Sequence, residues 1–289
     1  MVYHRAMAPG SPEAATWCVL VDAYGAGARL APEFRSRGLG CIHVFSSPAT
    51  QRAIRTFRAA DFDECLVHAG DLEAAAGLLR GKPVAAVLAA SLSGAGLADR
   101  LAEALGVAGP DPARRDAREA GSPARPGSWT AGVAYVLNAV SGVGRHWFTD
   151  IWREEPGAPD GAPGQRVLLD PAGPTVERLQ AFAAAALEER GIHLGPSHTE
   201  VRLTENGPKL AGCVAGFDPL ADPDLHAACT GVDPIGLIAD AALCPERFEA
   251  RTRRPYALRQ HARLLFLNPP PAGRVRALPG LRSLTSLPT

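Results

Sequence analysis

The stretch "TWCVLVDAYGAGARLAPEFRSRGLGCIHVFSS" constrains the fold more than any other part of the chain. It opens with a continuous apolar run from Cys18 to Val21 and passes a Gly-rich turn. A helical segment follows through Leu30 and Phe34, and a second apolar run extends from Cys41 to Phe45. Strand, helix and strand in that order make a βαβ unit, and a crossover of this length places the two strands parallel. The alternation continues through "FDECLVHAG", "LEAAAGLLRG", "PVAAVLAAS" and "GLADRLAEALGV", where Leu97, Leu101 and Leu105 recur every four residues on one helix face. Residues 17–110 are therefore expected to form a small doubly wound α/β domain behind an N-terminal tail of residues 1–16.

From Ala108 to Gly127 the texture changes to Pro, Gly, Arg and Asp without apolar periodicity, so residues 111–128 read as a linker, with the arginines of "ARRDAR" solvated. Beyond it, "AYVLNAVSGVGRHWFTDIWRE" gives two strands about a Gly-Val-Gly turn. A Pro-Gly loop precedes a helix from Pro174 to Gly191, which has proline in its first turn and glycine at its end. "HTEVRLTENGPKLAGCV", His198 to Val214, is a hairpin with a strong turn signal at Asn206-Gly207. A helix from about Pro234 to Ala242 and a final strand pair complete an α+β domain over residues 129–289.

Composition narrows the function. Thirty basic and thirty acidic residues cancel, which argues against nucleic acid or an anionic membrane as partner. No apolar run approaches the length of a membrane helix, and Met1 to Trp17 lacks the apolar stretch of a signal peptide, so a cytoplasmic location is expected. The six cysteines are scattered without a C-x-x-C pair, which reads as free, mostly buried thiols rather than a zinc site or a disulfide framework. Gly25 and Gly27 follow a strand and precede a helix, where an anion or small ligand could sit. The dinucleotide pattern fails, however, because its third glycine position is Leu30 and the second strand ends in Ser46-Ser47 instead of an acid. No Walker lysine motif and no G-x-S-x-G elbow occurs.

Two groupings could carry chemistry. His198 and Glu200 are two apart on one strand and share a face, the usual arrangement of a general base. His146, Asp150 and Arg153 on "GRHWFTDIWR" are candidates for substrate binding, with His146 and Asp150 on one face if the strand is regular.

Four segments, "VLVDAYGAGARLAPEFRSRGLGCIHVFSSP", "PVAAVLAASLSGAGLADRLAEALGVAGPDPARRD", "YVLNAVSGVGRHWFTDIWR" and "GPSHTEVRLTENGPKL", resemble in that order the ATP-grasp superfamily, in its bacterial carboxylate–amine (amino-acid) ligase branch. The resemblance runs from about Trp17 to Phe248. It implies a ligase that activates a carboxylate as an acyl phosphate, with ATP between two subdomains, two lysines on the phosphates and magnesium on acidic or amide side chains.

The departures alter that expectation. The family has a nucleotide-clamping subdomain after the segment like "RRD", but here a few residues lead to "YVLNAVS", so that subdomain looks largely missing. Only Lys82 and Lys209 occur in the whole chain. The family's Glu-x-Asn and following Arg, opposite the acid that Glu200 resembles, match Gly212, Val214 and Gly216 here. Magnesium takes about six oxygen ligands, and Glu200 beside a glycine and a valine is a poor cage. The expectation is a protein without metal or nucleotide cofactor that binds or transforms a small amino-acid-derived metabolite, with His198 and Glu200 catalytic. The alternatives are a non-catalytic partner of an active ligase and a ligase that still uses ATP. Surface uncovered by loss of a subdomain would be covered by a homodimer or a standing protein partner.

Overall fold

In a computed structural model, residues 3–4, 16–54, 57–120, 132–156, 163–218 and 220–266 are described. The first sheet holds β1 (Tyr3–His4), β2 (Trp17–Val21), β3 (Gly40–Phe45), β4 (Glu64–Val67) and β5 (Val84–Ala89) in the order β1-β4-β3-β2-β5. The last four are mutually parallel, and β1 adds antiparallel to β4 at the edge. Val19, Val21, Ile42, Val44 and Val87 face α3 (Leu72–Leu79) and α4 (Ala95–Leu105), with Leu97 and Leu101 buried among them. The alternate residues Cys18, Leu20, Cys41 and Leu88 face α1 (Leu30–Ser36). This two-sided burial is why the strands are apolar throughout, and the doubly wound domain expected from the sequence is present. Five of the six free cysteines are buried and Cys244 is partly so.

The second sheet is antiparallel, with β6 (Val133–Gly142), β7 (Arg145–Pro156), β8 (Pro163–Leu168), β9 (Gly195–Thr204), β10 (Gly207–Ala215) and β11 (Arg263–Leu265) in the order β10-β9-β6-β7-β8-β11. Val143 and Gly144 join β6 to β7, both at positive φ (51° and 68°), the conformation of a type I′ hairpin turn. The expected hairpin of β9 and β10 forms, with the positive φ (103°) at Gly207. The helix expected from Pro174 is α6 (Pro174–Glu189), and it covers one face of the sheet through Leu179, Ala183 and Leu187. On the other side lie α7 (Pro223–Thr230) and α8 (Pro234–Leu243), each opened by an Asp-Pro pair whose aspartate, Asp222 or Asp233, caps the free backbone N–H groups. A short α9 (Pro245–Arg251) follows. Of the expected final strand pair, β11 forms and pairs with β8; the rest of that stretch and residues 121–128 of the expected linker lie outside the described residues.

The two sheets share one hydrophobic core: Leu20, Leu30, Phe34 and Leu88 pack in the same cluster as Leu137, Val140, Ile151, Ile238 and Phe248. Two charged ties reinforce it. Fully buried Asp240 on α8 accepts from Arg37, just past α1, at 2.6 Å, and from Arg251 at 2.6 Å. The second tie departs from the sequence expectation of a solvated linker: Arg115–Ala120 is a helix, α5, and its Arg118 donates to Asp99 and to the carbonyls of Asp111 and Arg190. At Gly216 (φ 125°) an added Cβ would lie 2.7 Å from the Ser91 carbonyl oxygen, so only glycine lets the chain leaving β10 rest on the turn after β5. No helix among the described residues is long and apolar enough to cross a membrane.

One buried ring makes this core sensitive to acid. His43 on β3 lies among Phe45, Phe57 and Phe62 and accepts the Ala23 N–H at 3.0 Å. Burial pushes its imidazole down from 6.5 to about 3. A ring that stays neutral when folded but protonates when unfolded loses stability as pH drops below its unfolded value. The melting temperature should therefore fall progressively between pH 6.5 and 3, and His43→Gln should show a shallower fall over the same window.

Candidate functional site

The face of the second sheet turned toward α7 carries a buried polar cluster. Strand pairing puts Asn138 of β6 beside His198 of β9 and Asp150 of β7, while Glu154 of β7 stands beside Arg166 of β8. Directly paired residues share a face, so the antiparallel register alone assembles five polar side chains drawn from four strands. Asp218, in the loop after β10, and His226 of α7 close over them from above.

The hydrogen bonds are specific. Asn138 Nδ2 donates to Asp150 Oδ1 at 2.7 Å and reaches Asp218 Oδ2 at 3.4 Å. This fixes the amide so that Asn138 Oδ1 faces His198 Nδ1 at 3.0 Å. On its other side, His198 Nε2 lies 3.2 Å from Glu200 Oε1. Fully buried Asp150 also accepts from Thr149 Oγ1 at 2.6 Å and from the Trp152 indole, and lies 3.3 Å from His226 Nε2. Arg166 bridges Glu154 (2.8 Å) and Asp218 (2.9 Å). Burial alone would raise the Asp218 carboxyl, but His198, Arg166 and the Leu220 N–H hold it below the ordinary value of 3.8.

Of the residues selected from the sequence, His198, Glu200 and Asp150 meet here. His198 and Glu200 are in contact as expected, but the chemistry differs from that of a free base. Both ring nitrogens of His198 face oxygens of the protein, a carbonyl and carboxylates, so neither is left aimed at a substrate. Glu200, whose side chain is 33% exposed, is the member of the pair open to a ligand. Asp150 is enclosed by protein donors instead of facing a substrate.

The others lie elsewhere. The expectation that His146 and Asp150 share a face assumed a regular strand. Pairing shifts between Asn138↔Asp150 and Ala139↔Phe148, so one extra residue in β7 turns His146 to the opposite side. There His146 meets Ser141 (2.8 Å) and Glu188 of α6 (3.0 Å), and burial lowers its imidazole despite that carboxylate. Arg153, also on the far face, pairs with Glu155 at 2.6 Å. Gly25 opens a 3-10 turn, and Gly27 lets that turn approach β5: an added Cβ would stand 1.9 Å from the Ala90 oxygen. That contact gives Gly27 a packing reason independent of any ligand.

The group that the resemblance implies, magnesium with a nucleotide, does not fit this face. Glu200 pairs across the hairpin with Gly212, and His198 pairs with Val214, so β10 offers no second ligand. Asp150 and Asp218 are engaged by Asn138, His226, Arg166 and His198, and among the described residues no group of three or more His, Cys, Asp or Glu is disposed to hold a metal ion. Lys82 is paired with Glu64 at 2.7 Å in the first sheet, and Lys209 lies on β10 by the hairpin turn.

At the β10 edge of this sheet an open cleft of about 260 Å³ is lined by Leu92, Ser93, Asp99 and Gly96 of the first domain, Arg118 and Glu119 of α5, and Val214 and Ala215 of β10.

Comparison with known proteins places this arrangement. No protein-family profile matches the chain. Dapdiamide A synthase of Enterobacter agglomerans is 25% identical over 348 aligned positions, covering 90% of this chain and 82% of that protein. The alignment is longer than this 289-residue chain, so the synthase carries segments without counterpart here. An L-amino acid ligase from Bacillus licheniformis superposes with a TM-score of 0.59 at 15% identity, covering 83% of this chain and 77% of that one. Phosphoribosylglycinamide synthetase from Anaerococcus prevotii does so with 0.58 at 11% identity, covering 83% and 79%.

The Arg166–Asp218 pair can be tested by stability. Removing one partner of a buried ion pair strands the other, typically at a cost of about 3–5 kcal/mol, whereas replacing both with apolar groups is often neutral. Asp218→Ala should lose about that much in urea unfolding at pH 7, and Arg166→Met with Asp218→Leu should lose much less. Because the carboxyl is depressed when folded, its contribution is complete above about pH 4 and fades as pH falls further. The gap between wild type and Asp218→Ala should narrow over that acid range. The chain, a parallel sheet joined to this antiparallel one, thus shares its fold with the L-amino acid ligase and the synthetase, and its sequence is similar to dapdiamide A synthase over nine-tenths of its length.

Proposed function

We propose that this chain is an ATP-grasp-like protein that acts without a magnesium–nucleotide pair, and that its cleft binds or transforms a small amino-acid-derived metabolite in a biosynthetic pathway. One observation carries the reading: the buried carboxylates of the polar face are paired from within. Arg166 and His198 take up Asp218, His226 and Asn138 take up Asp150, and the strand opposite Glu200 presents Gly212 and Val214. To use these carboxylates as metal ligands the protein would have to break buried charge pairs and leave Arg166 and both imidazoles unpartnered, which is costly in a low-dielectric interior. The step from Ala120 to Val133, too short for a clamping subdomain, and the commitment of Lys82 to Glu64 point the same way. On the polar face, Glu200 is the partly exposed group available to accept a proton, with His198 beside it at 3.2 Å.

A second reading, an ATP-dependent carboxylate–amine ligase, draws on the similarity to dapdiamide A synthase, which extends over most of both chains.

Thermal melting separates the two, since a ligand of the folded state raises the melting temperature by mass action. At a hundredfold excess over Kd the gain is about 2.7 kcal/mol, on the order of 5–10 °C for a chain of this size. The ATP-free reading expects such a rise with members of an amino-acid and dipeptide panel and none with Mg-ATP or Mg-ADP. A rise with Mg-ATP, accompanied by phosphate release when amino acids are added, would establish the ligase instead.

A further inference from the structure

The carboxyl ends of β2, β3 and β5 bring together a second set of polar side chains, separate from the polar face of the second sheet. Chain order in the first sheet reverses between β2 and β5, and in doubly wound sheets the crevice outside the strand ends at such a reversal is where ligands bind. Asp22, the first residue after β2, is fully buried at a positive φ of 54°, a conformation that costs a non-glycine residue energy and persists only where its surroundings impose it. Ser46, the first residue after β3, holds its carboxylate: the Ser46 N–H donates to Oδ1 at 2.8 Å and the hydroxyl to Oδ2 at 2.6 Å. The same Oδ2 accepts from the Ser93 hydroxyl at 2.6 Å. Ser93, in the turn between β5 and α4, is exposed and lines the cleft. Tyr24 Oη and Ser91 Oγ stand 2.9 Å and 3.1 Å from its Oγ and fix its position.

A hydroxyl within hydrogen-bond reach of a base, with the base oriented by a third group, is the arrangement that activates a nucleophile. Ser93, Asp22 and Ser46 stand in that relation. Their surroundings suit an acyl group. Ala95 and Gly96, in the opening turn of α4, line the same cleft, and that helix has no side-chain cap, so an oxyanion formed there would sit at the positive end of its dipole. Leu92, Pro110 and Val214 supply an apolar wall.

We propose that Ser93 is an acyl-accepting nucleophile with Asp22 as its base, and that it acts on carboxylic esters whose acyl chain lies along Leu92, Pro110 and Val214. In the first step Ser93 Oγ bonds to the acyl carbon as its proton passes to Asp22 Oδ2; the bond to the leaving alcohol breaks, and the alcohol departs with that proton. Water then attacks the Ser93 ester, releasing the acid and restoring the hydroxyl. Neither step uses a nucleotide or a metal, so the proposal goes beyond the metabolite reading and holds whether or not Mg-ATP binds.

Mixing the full chain with p-nitrophenyl butyrate tests this. A burst of nitrophenol approaching one per chain should appear, the intact mass should gain one butyryl group, and peptide mapping should place it on Ser93. Ser93→Ala, a change at an exposed position, should abolish burst and adduct, and Ser93→Cys should retain the adduct. Asp22→Asn keeps an oxygen for the Ser46 N–H and tolerates positive φ; it should slow acylation by about a hundredfold, the usual worth of a general base. An adduct on another residue, a burst that survives Ser93→Ala, or no adduct at all overturns the proposal. Acylation of a folded Asp22→Asn at the full rate overturns the role given to Asp22.

Discussion

Buried charge must be paired, and on the polar face of the second sheet that requirement is met by the protein itself. Arg166 lies between Glu154 and Asp218, and Asp218 lies between Arg166 and His198. At such depth an unpaired ion is far more expensive than on the surface. Each member thus fixes its neighbours, and the loop carrying Asp218 and the helix carrying His226 are held down on the strands. The cluster of Asn138, Asp150, His198 and Asp218 is part of the folded interior. The small residues of β10 agree with this: Gly212 and Val214 contribute no oxygen, and Gly216 is committed to close approach on the Ser91 backbone.

The two sheets do not form independent bodies joined by a tether. One apolar cluster runs from β2 and α1 through α8 into β6 and β7, and Asp240 ties α1 to α8 and α9 through Arg37 and Arg251. Such a shared core holds the two sheets in place whatever segment joins them. It also creates the cleft, since α4 and α5 meet β10 at a fixed distance.

Much of the fold was legible from local pattern. Unbroken apolar strands alternating with an amphipathic helix specify a parallel sheet buried on both faces, and Asn206-Gly207 marked a hairpin that forms. What escaped was anything set by tertiary pairing. The strand β8 lies in "GQRVLL", too short and too close to a Pro-Gly loop to stand out, so Arg166 went unnoticed. The helix α7 has a capping Asp-Pro signal at Asp222-Pro223 that could have revealed it, and with it His226. Asn138 and Asp218 carry no local signal, because their roles come from register and from a loop folding back. A single extra residue in β7 was enough to separate His146 from Asp150, a reminder that period-two reasoning fails at a bulge. The solvated reading of Arg118 failed for a related reason, since its partners Asp99 and Arg190 are remote in sequence.

The most direct measurement is a crystal structure of the chain grown with a nonhydrolysable ATP analogue and magnesium. The internal pairing predicts no ordered nucleotide or ion on this face, with Arg166 still on Asp218 and His198 still between Asn138 and Glu200. An ordered triphosphate between the two sheets, with a metal ion bound to Glu200 or Asp218 and the Arg166 pair opened, would contradict it.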